Sequence, residues 1–427
     1  MSPTLDIAKA RSNFPALKDG FIFADNAGGS QCLQSVVDHI SDYLLNTNCQ
    51  LGADYSVSAT STKRVADGAV SAALLINAAS PEEIAFGSSS TMHVENLARA
   101  LENDILADEE IIITPEHESN CGPWKKLGAR RGITVKLWAA TQIPESPNNT
   151  YAVQLALDTL LPLVTSKTRL VAFTACSNIL GSITDVAKVV SALREEAKKK
   201  GARKLEVCVD CVAYAPHRRI DVKAWDVDYC YFSFYKVYGP HIGMLYARKA
   251  SLSNSITSLA HHFLKVDATS YKLQPGGPGY ELPYSTTAVV PYLQSLSPSG
   301  DLDDAFALIA AHEQALLAPL LGYLTSPEAR ARGVCVVGNE KIDMNRVPTV
   351  SFVVAGDRKM ASKDLVAVFD KKGGMGIRYG HFYAYTLIDS LQPKLDINDG
   401  IIRISLVHYN TVEEVETLVK ELKEVLA

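Results

Sequence analysis

Residues 204–210 read KLEVCVD and residues 227–236 read VDYCYFSFYK, and these two runs decide the fold. Apolar, β-branched and aromatic residues dominate both, which is typical of strands that a parallel sheet buries on both faces. The first run ends in Asp210 and the second in Lys236. Because open α/β sheets bind ligands at the carboxyl ends of their strands, we expect a carboxylate and an amine to face one ligand site.

This pair of groups suits one cofactor in particular. A pyridoxal phosphate (PLP) enzyme needs an Asp that keeps the pyridine nitrogen protonated and a Lys that forms a Schiff base. A lone pair of this kind is more often an ordinary strand end followed by a surface lysine. Here the segment SFYKVYGPHIGMLY, residues 233–246, resembles the lysine segment of class V aminotransferases, and in particular of the cysteine desulfurase group. In that group a Ser precedes the lysine by three residues and a Gly-Pro follows it.

The composition limits the class of protein. A chain of 427 residues with 47% hydrophobic and 21% charged residues is long enough for two globular domains. Its net charge of -5 argues against nucleic acid as a main partner. We expect no apolar run of the length of a membrane span and recognise no secretory signal, so we expect a cytoplasmic protein with no membrane partner. The eight cysteines are scattered, and we expect reduced thiols and no metal site.

The resemblance implies an α/β fold of the PLP-dependent transferase type, fold type I. Such a fold has a large domain with a mostly parallel central sheet flanked by helices, and a smaller C-terminal α/β domain. We assign residues 21–290 to the large PLP-binding domain, and residues 1–20 with 291–427 to the small domain. The pattern from Val186 to Lys200 predicts a crossover helix between parallel strands. A long helical pattern near the start of the small domain is expected to break at Pro319.

A phosphate site is predicted from three hydroxyl residues. Ser89, Ser90 and Thr91 lie where a strand pattern ends and an amphipathic helix pattern begins. Hydroxyls, backbone N–H groups and the helix dipole would all face an anion there. A simple helix cap is the plainer interpretation of such residues. The family has its phosphate loop at this point, which favours the cofactor role.

Further motifs of the family supply the other predicted cofactor contacts. EIIITPEHESNCGPW resembles "EHHANIVPW", which implies that His117 stacks on the pyridine ring. SNILG resembles "SNVLG" and implies that Asn178 contacts the ring hydroxyl, while Ser233 is expected to touch the phosphate and Tyr235 replaces the usual His. KLQPGGPGYELPY aligns with a loop that crosses the dimer interface, so Gly277 is expected at the phosphate of a neighbouring subunit in a homodimer.

The resemblance also implies a set of substrate contacts. Arg403 in IIRISLVHYNT resembles the family arginine that grips the substrate carboxylate, for which a guanidinium fork is well shaped. Asn26, in FIFADNAGGSQ, matches the opening strand and turn of the family. Arg378, His381 and Tyr383, in IRYGHFYAY, match the segment that carries the desulfurase nucleophile. We expect all five side chains to contact the amino-acid substrate.

Tyr383 is the informative departure from the family. The most similar desulfurases read "R-x-G-H-H-C" here and use the cysteine thiolate to take up sulfur as a persulfide, and a phenol cannot do this. The nearest cysteine in sequence is Cys335. The fold and cofactor are therefore expected, but the usual desulfurase mechanism is not, unless a distant cysteine reaches the site.

We therefore predict a PLP-dependent carbon–sulfur β-lyase that acts on an amino acid. Lys236 and His117 are its expected catalytic residues, with Lys236 removing the α-proton. A PLP-dependent epimerase or aminotransferase on a small amino acid would begin in the same way and stays open. A non-catalytic sulfur-transfer partner or scaffold is an alternative of another class. Retention of Lys236, Asp210 and Arg403 together argues against it, because a scaffold needs no Schiff-base amine.

Overall fold

A seven-stranded sheet forms the centre of the larger part of the fold. The structure is a computed structural model that describes residues 4–264 and 266–427, so residues 1–3 of the predicted small-domain segment lie outside the described residues. The strands are β1 (Ile84–Gly87), β2 (Glu110–Ile113), β3 (Thr134–Leu137), β4 (Thr168–Thr174), β5 (Glu206–Asp210), β6 (Tyr229–Ser233) and β7 (Gly243–Ala247). Their order is β1-β7-β6-β5-β4-β2-β3. Only β7 runs antiparallel to its neighbours, which confirms the mostly parallel α/β sheet predicted from the sequence.

The central strands look apolar because helices and loops cover both of their faces. Every residue of β4, β5 and β6 is buried. One set of side chains joins the core shared with Val189 and Leu193, and the alternate set joins the core shared with Trp124 and Leu127. Strands of this kind show no polar alternation until they end, and this explains why Asp210 and Lys236 stand out at their ends.

Long helices flank the seven-stranded sheet and the smaller antiparallel sheet that is described below. They are α1 (Gln34–Asn46), α2 (Ser56–Leu75), α3 (Ser90–Leu101), α4 (Glu118–Arg131), α5 (Val186–Lys200), α6 (Leu302–Leu324), α7 (Ser362–Lys372) and α8 (Val412–Leu426). Short helices lie at Ile7–Arg11, Leu157–Leu160, Lys249–Asn254, Glu281–Ser285, Val289–Ser295, Pro327–Ala331 and Tyr385–Ser390. The crossover helix α5 has the predicted bounds, because Asp185 caps its first turn and Gly201 ends it at φ 75°.

The smaller part of the fold is built on an antiparallel sheet. Its strands are β8 (Val334–Val337), β9 (Thr349–Val354), β10 (Arg378–Gly380) and β11 (Ile401–Ser405), in the order β8-β9-β11-β10. Helices α7 and α8 pack their apolar residues on it. Two short strand pairs complete the described part of the fold, Ile22–Phe23 with Met375–Gly376 and Thr141–Gln142 with Val153–Gln154.

The predicted domain limits need correction at both ends. Leu5, Phe14 and Leu17 pack in the core of the large sheet, so the start of the described chain does not join the small domain. Ile22 and Phe23 instead pair with the small-domain strand Met375–Gly376, and Ile22 and Ala24 pack in the small-domain core. The domain to which these segments belong is decided by their contacts with residues far away in sequence. A local sequence pattern carries no information about such contacts.

Helix α6 is also different from expectation. It runs without a break through Pro319, which costs a helix one hydrogen bond but here lies in a helix packed along its length. Leu302 and Ile309 belong to the large-sheet core, whereas Leu316 and Leu320 belong to the small-domain core, so the boundary lies inside the helix and not at residue 290. No apolar run of the length of a membrane span is expected from the sequence. By length and composition, however, the helical segment Leu302–Ala331, which contains α6, is long and apolar enough for one. In its most apolar stretch, 56% of the residues are buried in the fold.

Candidate active site

A buried pocket lies at the carboxyl edge of the large sheet, where β4, β5 and β6 end. It is lined by Ser89, Ser90, Thr91, His117, Ser119, Thr174, Cys176, Asn178, Asp210, Val212, Ala213, Ser233, Tyr235 and Lys236. Nine of the ten residues proposed from the sequence as cofactor contacts are in this list; the tenth, Gly277, is not. Sequence segments up to 147 positions apart, from Ser89 to Lys236, thus meet at one site because parallel strands end at one edge.

Lys236 and Asp210 both line this pocket. Lys236 ends a single 3₁₀ turn directly after β6 and is 7% exposed. Burial and the Arg403 guanidinium together lower the pKa of its amine to about 8, and Asp210 opposes the shift. Burial likewise raises the pKa of Asp210, against the backbone N–H of Val212, which donates to it at 2.9 Å. The site therefore offers an amine that loses its proton more easily than an ordinary lysine does.

The predicted phosphate site has the expected helix start. Ser89 caps α3 and accepts a hydrogen bond from the N–H of Met92, while the hydroxyl of Ser90 lies 2.7 Å from that of Ser233. The start of α3 lies close to β7 because the first residue of β7 is Gly243. A Cβ at this position would lie 2.6 Å from the backbone of Ser89. Sequence reasoning missed Gly243, whose role depends on Ser89, a neighbour 154 residues away in the chain.

His117 is a neutral imidazole in this environment. Its Nδ1 accepts a hydrogen bond from the N–H of Ser119 at 3.2 Å, and this contact caps α4. Burial and the cations of Lys236 and Arg403 together lower the pKa of His117 to about 3. An uncharged ring suits stacking on a heterocycle and is a poor proton acceptor near neutral pH. The ring of Tyr383 lies beside it, with 5.5 Å between the ring centroids.

The predicted substrate arginine is already paired with a carboxylate of the chain. Arg403 is 2% exposed and donates to Asp25 at 2.9 Å and to the backbone oxygen of Asn178 at 3.2 Å. Its guanidinium carbon lies 3.8 Å from the ring centroid of Phe382. Arg378, directly opposite on β10, reaches the other oxygen of Asp25 at 3.4 Å. Asp25 was matched in the family motif but given no role.

The segment at the nucleophile position forms an open mouth loop, defined here as residues 381–384. Phe382 and Tyr383 both have left-handed backbone, with φ of 49° and 60°, which is uncommon outside glycine. The loop is tied down at two points, because Asn178 donates to the carbonyl of Phe382 at 3.1 Å and the N–H of Glu118 donates to that of Tyr383 at 2.8 Å. Arg378, His381 and Tyr383 line a depression on this side.

Two predicted contacts lie elsewhere. Asn26 is 2% exposed, its amide nitrogen donates to the carbonyl of Phe23 at 2.7 Å, and its amide oxygen accepts from the hydroxyl of Tyr409. It holds the junction of the two domains together, so its prediction as a substrate contact is corrected. Gly277 lies outside the pocket of its own chain, and its expected place at a neighbour's phosphate stays a prediction. Tyr235 does line the pocket, with its ring stacked on that of His241 at 5.1 Å.

One cysteine lines the pocket, and it is distant in sequence from Tyr383, a case that the sequence left open. Cys176 is 1% exposed, and its thiol faces the carbonyl oxygens of Ser177 and Gly181 at 3.8 and 3.9 Å. Burial raises the pKa of this thiol well above its ordinary value. A thiol held protonated is a weak nucleophile. The position follows β4 directly, but its sequence context resembles that of any buried cysteine.

The family model for class V aminotransferases matches residues 22–418. The chain belongs to the class V aminotransferase family. Cysteine desulfurases, which are members, depend on PLP, and the chain is an enzyme of this PLP-dependent family. The residues fit the cofactor: a buried amine, a carboxylate at the next strand end, a neutral imidazole and a capped helix start line one pocket.

Several members of the family are similar over their full length. The aminotransferase-like protein FGM3 of Gibberella zeae is 41% identical and covers 100% of both chains. The cysteine desulfurase-like protein ustD of Aspergillus flavus is 33% identical over 99% of this chain and 91% of its own. The apo structure of a cysteine desulfurase from Thermococcus onnurineus NA1 has a TM-score of 0.82 at 24% identity and covers 100% of this chain and 99% of its own, which supports the fold type I architecture.

Proposed function

We propose that the chain is a PLP-dependent carbon–sulfur β-lyase that acts on an amino acid without a cysteine nucleophile. The observation that carries the proposal is the pairing of a complete cofactor pocket with Tyr383 at the nucleophile position. The cofactor residues of the class are present together, whereas the group that would take up sulfur is replaced by a phenol. Breaking the bond to sulfur by elimination needs no such group.

The residues of the pocket divide the work of such a reaction. Bound PLP supplies an electron sink for the carbon that carries the amino group. Lys236 would hold the cofactor, Asp210 its ring nitrogen, and the Ser90 and Ser233 hydroxyls with the start of α3 its phosphate. Arg403 would orient the substrate carboxylate, for which its guanidinium has the right shape.

Lys236 is also the base that we assign to the α-proton. The amine takes that proton, the released electron pair forms a carbon–carbon double bond, and the carbon–sulfur bond breaks with sulfur leaving as a thiolate. Water then converts the three-carbon remainder to pyruvate and ammonia. The lowered pKa of Lys236, about 8, keeps a useful fraction of the free amine near neutral pH.

The two alternative PLP-dependent reactions, epimerisation and transamination, differ in the catalytic groups that they need besides Lys236. A two-base epimerase requires a second proton acceptor on the opposite side of the substrate, and His117, with a pKa of about 3, is a poor one. An aminotransferase needs only the lysine. Incubating the protein with cysteine, cystine and S-substituted cysteines, and measuring pyruvate, ammonia and sulfide, tests the proposal. Pyruvate from at least one is expected; α-deuterium exchange or pyridoxamine phosphate without pyruvate would contradict it.

We infer further that the working form is a homodimer, in which the loop around Gly277 reaches the phosphate site of the other subunit. Helices α1 and α2 expose large apolar side chains, with Leu45 82% and Tyr55 54% exposed, which a second copy would cover. Light scattering should give twice the chain mass of 46.3 kDa. The eight free cysteines are consistent with the cytoplasmic location that we propose.

A further inference from the structure

A buried acid next to the pocket takes no part in the reaction described above. Glu116 lies between β2 and the start of α4, directly before His117, and is 1% exposed. One carboxyl oxygen accepts a hydrogen bond from the hydroxyl of Ser177 at 2.8 Å. The other has no hydrogen-bond partner within residues 4–264 and 266–427. A charged carboxylate with only one hydrogen-bond partner is costly at such a buried site. The presence of Glu116 there therefore needs a functional explanation.

Its contact with Ser177 leads to a predicted cofactor residue. The Ser177 oxygen accepts from the backbone N–H groups of Ile179 at 3.2 Å and Leu180 at 2.9 Å. Its single hydrogen is therefore free for Glu116, and one hydroxyl joins the acid to the turn that follows β4. Asn178 lies in this turn and its side chain lines the pocket. Losing the acid would leave the Ser177 hydrogen unpaired and the turn less firmly held.

The charge of Asp210 acts on the same acid. Burial and the charge of Asp210 together raise the pKa of Glu116 to about 7, and the Ser177 hydroxyl opposes the shift. The remaining titratable groups beside it are the His117 imidazole, the Cys121 thiol of α4 and the Cys176 thiol that follows β4, and burial raises the pKa of both thiols. Two buried carboxyls near each other favour one shared negative charge over two.

We propose that Glu116 is a positioning residue of the cofactor site, a buried neutral acid that holds the Asn178 turn through Ser177 and leaves Asp210 as the single negative charge. The inference rests on the proposed PLP site, since Asn178 and Asp210 are the groups that it positions. Glu116 itself does not line the pocket and touches no substrate.

Cofactor affinity tests the link through Ser177. PLP is titrated into the apo forms of the wild type, Glu116→Ala, Ser177→Ala and the double variant. We expect each single change to weaken PLP binding about tenfold, near the cost of one buried unpaired group, and the double variant to be no weaker than either. Glu118→Gln, a half-buried acid two residues away that does not line the pocket, is the control. Binding of Glu116→Ala within twofold of the wild type, or additive losses, would overturn the link.

A pH titration tests the charge, and it needs no large change in packing. Glu116→Gln keeps an oxygen that can accept from Ser177 but cannot ionise. The visible absorbance of bound PLP in the wild type should change with a midpoint near pH 7. Glu118→Gln should keep this step and Glu116→Gln should lose it. A step that persists in Glu116→Gln would refute the proposal.

The apo protein separates this inference from the proposed function. Since the folded pKa of Glu116 lies above its unfolded value, the wild type loses stability relative to Glu116→Gln as pH rises through about 7. Thermal unfolding of both apo proteins between pH 5.5 and 9 measures this. If the wild type takes up no PLP, the proposed function fails. If the difference in unfolding temperature between the wild type and Glu116→Gln stays constant with pH, Glu116 is not a neutral acid in the folded protein and the present inference fails.

Discussion

The floor and the mouth of the pocket differ in burial, backbone and origin. The floor, formed by Asp210, Lys236 and their neighbours at the strand ends, has side chains 4% and 7% exposed. The mouth loop comes from the small domain, with Tyr383 66% exposed on left-handed backbone. The floor keeps the family's Asp210, Asn178 and Lys236 and departs from it at Tyr235, whereas the mouth departs from it at the nucleophile position itself, Tyr383. The buried side therefore serves the cofactor, and we expect the exposed side to decide what happens to the substrate.

The largest expected effect is at the floor. Lys236→Ala removes both the cofactor amine and the assigned base, so turnover should fall at least about a thousandfold, and the visible absorbance of the bound cofactor should vanish. Steady-state assays and spectra measure this, with the exposed Lys188→Ala as the control. A variant at position 236 with the wild-type spectrum would show that another lysine holds the cofactor.

Arginine variants compare floor and mouth directly. Arg403→Lys and Arg378→Lys both keep the charge and lose the fork, but Arg403 is 2% exposed and the Arg378 side chain is 58% exposed. We expect KM to rise about a hundredfold in Arg403→Lys, near 3 kcal/mol for a buried charge pair, and less than tenfold in Arg378→Lys. An equal rise of KM in the two variants would contradict this expectation and would place the substrate carboxylate at the mouth.

Cofactor loading should depend on pH as the Lys236 amine does. With a pKa of about 8, the neutral fraction rises about fiftyfold between pH 6 and pH 8 and then levels off. The rate at which PLP binds the apo protein should follow this curve, because only the neutral amine attacks. Stopped-flow absorbance measures it. A rate that still rises about sevenfold between pH 9 and pH 10 would indicate an ordinary exposed lysine.

The smallest effect is expected at the cysteine of the floor. Cys176→Ser should leave pyruvate production within about twofold, because a protonated buried thiol takes no part in elimination. Product assays on the holoenzyme measure this, and Cys335→Ser, a half-buried cysteine of the small domain, is the control. Loss of sulfide release in Cys176→Ser alone would favour a desulfurase reaction with this cysteine as the sulfur acceptor.

Local sequence patterns predicted the parts of the structure that local forces decide. Helix α5 has its cap and its glycine stop in the sequence, and the strand ends at Asp210 and Lys236 follow from uninterrupted apolar runs. Most of the pocket could be named because motifs with family spacing sit at these strand ends. The phosphate site followed from three hydroxyls at a helix start.

Long-range contacts decided the rest, and no single stretch contains them. The role of Asp25 depends on Arg403, 378 residues away, and that of Gly243 on Ser89. No local pattern marks Cys176 as a pocket residue, because its place there depends on β4 lying beside β5 in the sheet. Pro319 does not end its helix because two cores hold the helix from both sides.

The identity of the lysine that carries the cofactor tests the account most directly. Purified protein is loaded with PLP, reduced with borohydride, digested and mapped by mass spectrometry. The account predicts a phosphopyridoxyl group on Lys236 and on no other lysine. The label on a different lysine, or no label at all, would contradict it.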